Sequence, residues 1–596
     1  MQATPKAPAA VAGPPWRPLS GPWGGLVDEA AARGLDHVNH SGRPGKPTVL
    51  EANGAGVALI DLECDGDLDV VFGQGLPSLE ALVEGPGADL EVYLNDGAGN
   101  FTRAPGPGLS GWWIALAVGD VDGDGDQDLV AGGLGGLEVL LADEHGRLVR
   151  SPRGDLMPGA WARFRPGEPR NETRAPLWVN ALALFDADRD GALDLYVGHY
   201  LDFDPRAPAL GELGEGALAV PCRWKGAQVF CGPRGLIAQP DRLLRGRGDG
   251  TFEDRTSTWL GQVPPGYTLA VLPFDFDGDL DTDLYVACDS SANLLLVNDG
   301  RGRFTDVGFS AGVALSPEGA AEAGMGAAAA DVDGNGWLDL AVTNFSGEPT
   351  ALYLGGERGF RNETFRAGLN RESRDLLSWS VHLADLDGDS RPELFTANGH
   401  VYPQADLPDT GTRYGQAASL WRFDEEGRVV RIEPAGDDSI LAPELGARGS
   451  ALGDLDGDGA PDLVLDRIDG PVALGMNRRR GTAANWLVVR CLGPERGELV
   501  EGAAAGRTPA DGMGARVLVV PAGAGAPTLT AEVQTAVGYA SASSAWPCFA
   551  LGESTSYASL EVRWPSGRVE TLPGGPGGRR LTVREGNGIV AEEPLR

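Results

Sequence analysis

The sequence predicts an all-β protein: a seven-bladed β-propeller followed by a small C-terminal β-sandwich-like domain. Three observations predict it. An acidic ten-residue string occurs seven times, its starts 59, 66, 89, 56, 54 and 69 residues apart. A motif repeated at a steady interval of this size marks an array of supersecondary units. Each copy lies between a short apolar run and a β-rich run, which reads as two strands joined by a tight loop. Finally, 89 Gly and 43 Pro among 596 residues favour many turns, and helical periodicity is scarce.

The chain divides into three stretches. Residues 1–24 are Pro/Ala-rich and contain no apolar segment of the signal-peptide kind, so they read as a disordered leader. Residues 25–482 hold the seven strings. Downstream of several of them come a further apolar segment and an Asn-Gly or Asp-Gly turn, as in "EVYLNDGAGNFT" (91–102) and "LLLVNDGRGRFTDV" (294–307). About four strands per unit make one propeller blade, and seven blades close a ring without a large open edge. The N-terminal segment is a candidate to complete the last blade by ring closure. Residues 483–596 form the C-terminal β-domain.

The strings follow the logic of calcium loops. Side-chain oxygens at positions 1, 3 and 5 and a backbone carbonyl at 7 surround one hard cation, while Gly at 6 permits the bend. Here an acid at position 9 closes the set. The first loop offers Asp61, Glu63, Asp65, the carbonyl of Asp67, and Asp69. The second offers Asp120, Asp122, Asp124, Asp126 and Asp128; the third, Asp186, Asp188, Asp190, Ala192 and Asp194. The fourth offers Asp275, Asp277, Asp279, Asp281 and Asp283; the fifth, Asp331, Asp333, Asn335, Trp337 and Asp339. The sixth offers Asp385, Asp387, Asp389, Arg391 and Glu393; the seventh, Asp454, Asp456, Asp458, Ala460 and Asp462. Up to seven Ca²⁺ are expected. Glu63, Leu280 and Ser390 in place of Gly, Asn335 and Glu393 make the first, fourth, fifth and sixth loops the weaker sites, and the second, third and seventh the best.

The formal net charge of −36 argues against nucleic acid and anionic lipid as partners. No apolar run reaches the roughly 18 residues of a membrane span. Seven dications would bring −36 to about −22.

The repeats resemble FG-GAP/VCBS repeats. "LEANGAGVALIDLECDGDLDV", "AGMGAAAADVDGNGWLDLAVTNFSGEPTALY", "TANGHVYPQ" and "RGSALGDLDGDGAPDLVL" are similar to the cartilage-acidic-protein-1-like family. "GMGARVLV" (512–519), "VGYASASS" (537–544) and "LEVRWPSGRVETL" (560–572) resemble an ASPIC/UnbV domain. The resemblance implies an extracellular or periplasmic calcium-binding propeller acting as a binding, adhesion or assembly module. The partner would be a protein or a glycan, with self-assembly through the C-terminal domain as a further reading. Given that exported class, Cys222 and Cys231, framing "CRWKGAQVFC", are expected to form a disulfide; two buried free thiols are the alternative.

If each acidic loop joins the two innermost strands at one rim, the residues flanking those strands lie at the other. They include Glu51, Asn53, Trp112, His199, Asn344, Glu348, His400 and Arg448. They are candidates for a partner site at the channel mouth, or for polar groups that merely pack loops. No GxSxG elbow, phosphate loop or HExxH is present. An enzyme with an active site at this mouth is the alternative function.

Overall fold

In the computed structural model, residues 15–151, 176–206, 208, 212, 213, 220–495 and 506–596 are described. Seven four-stranded antiparallel sheets form the propeller. Their two inner strands are Val57–Ile60 and Asp69–Phe72 in blade 1, and Trp113–Gly119 and Asp128–Gly133 in blade 2. Val179–Phe185 and Asp194–His199 serve blade 3, Thr268–Phe274 and Asp283–Cys288 blade 4, and Ala327–Ala330 and Asp339–Val342 blade 5. Blade 6 has Ser378–Ala384 and Glu393–Asn398, and blade 7 has Ala447–Gly453 and Asp462–Arg467. The innermost strands contact one another in sequence, and that of blade 7 returns to that of blade 1. The ring is therefore closed.

The closing strand comes from the N-terminus. Leu26–Asp28 pairs antiparallel with Ala473–Asn477 and becomes the fourth strand of blade 7. A blade built from both ends of the propeller segment ties the first and last repeats by backbone hydrogen bonds. The leader expected over 1–24 is described only from Pro15, and from there it is not loose. Trp16 Nε1 donates to the Leu551 carbonyl (3.1 Å), Glu553 N to that of Arg17 (2.9 Å), and Trp23 Nε1 to Asn477 Oδ1 (2.8 Å). Aromatic burial against the C-terminal domain outweighs the Pro/Ala-rich composition there. Residues 1–14 lie outside the described residues.

Two four-stranded sheets make the C-terminal domain. One contains Trp486–Leu492, Cys548–Ala550, Arg579–Arg584 and Gly588–Pro594; the other contains Arg516–Pro521, Leu529–Glu532, Ser556–Arg563 and Val569–Pro576. Their inner faces bury Leu487, Val489, Val517, Val519, Leu560, Val562, Leu581 and Val583. This apolar cluster continues into Val57, Leu59, Leu68, Tyr93 and Leu474 of blades 1 and 7. The two domains share a core.

Between Val533 and Trp546 the C-terminal domain sends a hairpin into the propeller channel. Thr535 Oγ1 donates to the Val118 carbonyl of blade 2 (3.0 Å), and Gly538 N to the Ala327 carbonyl of blade 5 (2.8 Å). Leu116 N of blade 2 donates to the Ala540 carbonyl (3.0 Å). Ala542 exchanges hydrogen bonds with Val57 and Leu59 of blade 1, and Ser544 N donates to Leu452 of blade 7 (2.9 Å). Inner-strand backbone groups that face a channel need partners, and this hairpin supplies them. The approach is close: a Cβ at Gly56 would lie 1.8 Å from the Ala540 carbonyl oxygen, and Gly538 (φ +81°) leaves no room for one beside Ser380 Oγ. The uncharged small-residue run "TAVGYASASSAW" is thus a plug.

Candidate metal centres and the filled channel

Every acidic loop begins and ends at the same register. Ile60 faces Asp69, Gly119 faces Asp128, and Phe185 faces Asp194. Phe274 faces Asp283, Ala330 faces Asp339, Ala384 faces Glu393, and Gly453 faces Asp462. The position-9 acid therefore sits at the first residue of the outgoing strand in all seven blades. It pins the loop: one carboxylate oxygen accepts the N–H of position 2, from Leu62, Val121, Ala187, Phe276, Val332, Leu386 and Leu455 at 2.7–3.0 Å. In six blades the other oxygen accepts an N–H from the end of the third strand or the residue just after it, as Asp128 does from Ala142 (3.0 Å).

The position-1 carboxylate accepts the N–H of position 6 in all seven loops, as Asp186 does from Gly191 (2.8 Å). Two positions per loop are left-handed. At position 6 stand Gly66, Gly125, Gly191, Gly336 and Gly459, and also Leu280 (φ +67°) and Ser390 (φ +69°). At position 4 stand Gly123, Gly278, Gly334, Gly388 and Gly457, with Cys64 (φ +55°) and Arg189 (φ +59°). The sequence reading identified the first of these positions and missed the second. Five glycines at position 4 were the available signal.

These bends bring the acids together. Ligand atoms of Asp120, Asp122 and Asp128 lie within 4.8 Å of one another, as do those of Asp186, Asp188 and Asp194, and of Asp275, Asp277 and Asp279. The same holds for Asp331, Asp333 and Asp339, and for Asp385, Asp387 and Glu393. Burial pushes Asp69 and Asp128 up to about 8, and Asp120, Asp339 and Asp454 up to about 7. Burial, with neighbouring carboxylates adding to it, raises Asp194, Asp385, Glu393 and Asp462 well above the usual range. Clustered buried carboxylates in these surroundings call for positive charge. An all-oxygen donor set with no sulfur or imidazole fits a hard cation such as calcium. Asp61 Oδ2, Asp67 Oδ1, Asp188 Oδ1, Asp281 Oδ1 and Asp456 Oδ1 are buried without a hydrogen-bond partner, which fits the same reading.

The C-terminal domain and the segment leading to it sit on this acidic rim. Arg490 Nη1 lies 3.8 Å from Asp61, Arg516 Nη1 4.0 Å from Asp275, Arg480 Nη2 3.0 Å from Asp387 and Arg479 Nη1 3.0 Å from Asp458. Asp511 Oδ2 accepts from Asp120 N (3.1 Å), and Glu532 Oε2 from Asp275 N (3.2 Å). Near blades 5 and 6 the contact opens into a cavity of about 670 Å³, lined by Ala329, Leu383, Glu532, Gln534 and Trp546 among others.

The candidate mouth residues are interior, which corrects the expectation of an open partner face. Glu51, Asn53, Trp112, His199, Asn344, His400 and Arg448 are buried; Glu348 is half-buried. The plug tip and an overlying hairpin occupy the mouth. Tyr539 packs edge-on against Trp379, and Arg448 lies over that same indole, 4.4 Å from its centroid. Arg448 donates to the carbonyls of Ala52, Gly399, Ala447 and His400, and burial lowers it to about 10. Burial and then Arg448 lower His400 to about 3, and burial first lowers His199 to about 3, so both imidazoles are neutral. Cys222 and Cys231 form a disulfide at the base of Arg223–Gln228. Trp224 of that hairpin reaches His400 (4.6 Å between centroids), and Lys225 Nζ donates to the Thr410 carbonyl. Glu51 instead accepts from Thr48 Oγ1 (2.9 Å) and Arg43 Nε (3.1 Å), and Glu348 from Ala323 N (2.8 Å).

Fold and rim together define a closed β-propeller of acidic-loop repeats with a C-terminal β-sandwich plugging its channel. The FG-GAP-like repeat family matches residues 79–131, 229–286, 275–342 and 331–396, and the ASPIC and UnbV family matches residues 505–590. The chain carries FG-GAP repeats and a C-terminal ASPIC/UnbV domain, and it is homologous to cartilage acidic protein 1. The Xenopus tropicalis relative of that name is 24% identical over 538 residues, 87% of this chain and 71% of its own. The Mus musculus relative is 27% identical over 297 residues, 48% of this chain and 40% of its own. Among solved structures, a lectin from Agrocybe aegerita aligns over 72% of this chain and 94% of its own at 15% identity, with a TM-score of 0.39. The extracellular domain of a one-component system from B. thetaiotaomicron aligns over 74% and 40% at 9% identity, with a TM-score of 0.38. No helix among the described residues is long and apolar enough to cross a membrane.

Proposed function

We propose that this protein is a calcium-binding extracellular or periplasmic module for binding or assembly, in which calcium is structural. One observation carries the reading: in five blades, three acids of one loop converge within 4.8 Å on the same fixed backbone scaffold. In each loop the residues at positions 1, 3, 5 and 9, with the position-7 carbonyl, would hold the ion. Calcium supplies charge compensation there. It stiffens the rim on which the C-terminal domain rests, so that blades and sandwich present one rigid surface. Homology to cartilage acidic protein 1 and the cysteine bridge support this extracellular or periplasmic, oxidising location. The partner binds the outer surface, since the mouth is filled by Tyr539 and covered by the Cys222–Cys231 hairpin. Elemental analysis and a thermal melt with and without EGTA test the reading. Bound calcium and a large drop in melting temperature on chelation are expected. Metal-free protein that melts unchanged in EGTA would exclude it.

A further inference from the structure

We propose that Arg245 is a built-in cation of the third acidic loop: it weakens calcium binding there and holds the loop in shape when calcium is withdrawn. The proposal rests on the reading of the loops as calcium sites. Arg245 lies on the third strand of blade 3, directly after Leu244, which pairs with Leu195 next to the position-9 acid Asp194. Its Nε donates to Asp188 Oδ2 (2.7 Å), and its Nη2 pairs with Asp190 Oδ2. These are the acids at positions 3 and 5. Among the described ion pairs no other guanidinium bridges two carboxylates of one acidic loop.

The placement is particular to this blade. At the same register the other blades carry Leu94, Leu141, Val297, Leu354, Arg422 and Met476. Five are apolar, and Arg422 is exposed with no described ion pair to its loop. A guanidinium presents its N–H groups as a planar fork suited to carboxylate oxygens, and its charge is permanent. It supplies part of the positive charge that Asp186, Asp188, Asp190 and Asp194 require. Asp188 Oδ1 is still buried without a partner beside Asp186 and Asp194, so a cation can enter, but against a fixed like charge. The sequence alone ranked this loop among the best sites because its own ten residues look complete; the competing cation comes from a strand some fifty residues further on.

Hydrogen exchange on the full chain, with excess calcium and with EGTA, tests this. The fifth loop (331–339), whose carboxylates take part in no described ion pair, serves as the internal comparison. Chelation is expected to speed its exchange by about tenfold or more while changing 186–194 less than about twofold. Arg245→Leu, which installs the residue found in three other blades, is expected to make 186–194 open in EGTA like the fifth loop and to add about one bound calcium per chain by elemental analysis at limiting calcium. Arg245→Lys, which keeps the charge without the fork, is expected to fall between. If 186–194 of the unmodified protein opens together with 331–339, the proposal is wrong, as it is if Arg245→Leu neither opens the loop nor gains calcium. If no loop responds to chelation and no calcium is bound, the calcium reading itself fails, an outcome distinct from the other two.

Discussion

The Tyr539 hydroxyl donates to the Asn53 carbonyl at 3.2 Å across 486 residues of chain. The same hydroxyl accepts from Asn180 Nδ2 (3.4 Å), and the Tyr539 N–H reaches Ser380 Oγ (3.3 Å). One plug residue thus ties blades 1, 3 and 6 together at the mouth. Tyr539→Ala removes a fully buried ring and is expected to destabilise the whole chain by about 3–5 kcal/mol. Tyr539→Phe leaves the Asn53 carbonyl without its donor and is expected to cost about 1–2 kcal/mol. Denaturant titration of both variants gives the two values. A chain ending at residue 482 lacks the plug and exposes the shared core, so it is expected to aggregate instead of yielding a soluble propeller, as size-exclusion chromatography would show.

Stability without calcium should fall as pH rises. Burial lifts Asp69 and Asp128 to about 8 in the folded chain, against an ordinary value of 3.8. The folded state therefore holds protons between those values that the unfolded state has released. Linkage then makes the folded state lose stability with rising pH across that window, from about 4 to about 8. Melting temperature in EGTA is expected to drop steadily over this range. In saturating calcium the slope should flatten, because the ion takes over the charge compensation. A calcium-insensitive slope would refute the coupling.

Leu280 and Ser390 occupy left-handed backbone where five other loops place glycine. A side chain there costs on the order of 1 kcal/mol. Leu280→Gly and Ser390→Gly are each expected to raise stability by about that amount in calcium, offset partly by the entropy glycine adds to the unfolded chain. A lowered denaturation midpoint for both would show that the side chains contribute more by packing than the strain costs.

The repeat architecture was legible because each loop's chemistry is local. Spacing of acids and glycine within ten residues, bounded by apolar runs, specifies a bend between two strands, as at Asp120–Asp128. The ring closure by Leu26–Asp28 could be anticipated only as an option, since nothing within three residues names a partner 450 positions away. The plug was not foreseen. In "VGYASASS" (537–544) the informative features are the absence of charge and the small side chains that let backbones approach. Burial of His400 and Arg448 was not legible in the sequence, because it depends on the 533–546 hairpin and the Trp224 hairpin, both remote along the chain.

Asp128 and Asp124 separate scaffold from ligand. Asp128 is buried and accepts the N–H groups of Val121 and Ala142 at 3.0 Å each. Asp128→Ala leaves two buried donors unpaired and is expected to cost about 2–4 kcal/mol in EGTA as well as in calcium. Asp124 is exposed and accepts only from Asp126 N (3.0 Å) among the described hydrogen bonds. Asp124→Ala is expected to matter only when calcium is present, where it should weaken binding at this loop. Melts of both variants under both conditions distinguish the roles; equal effects in EGTA would not fit this division.

His37 fastens the ring where the first and last blades meet. Its Nδ1 lies 2.9 Å from Glu91 Oε2 of blade 1 and its Nε2 3.5 Å from Asp466 Oδ1 of blade 7, with the ring stacked on Phe72. Burial alone would lower the imidazole, but the adjoining carboxylates of Asp466 and Glu91 outweigh it and hold the group above its ordinary 6.5. Arg103, on Glu91, is the nearest competing charge (2.7 Å). A histidine raised in the folded state contributes fully below the unfolded value and loses that contribution as pH climbs through the folded one. His37→Gln is therefore expected to cost about 3 kcal/mol near pH 6 in saturating calcium, and progressively less as pH climbs through the raised value of the folded imidazole. Holding calcium saturating removes the carboxylate slope described above, so the difference between the two proteins isolates this residue. A cost that stays constant with pH would mean His37 acts by packing on Phe72 and not by its charge.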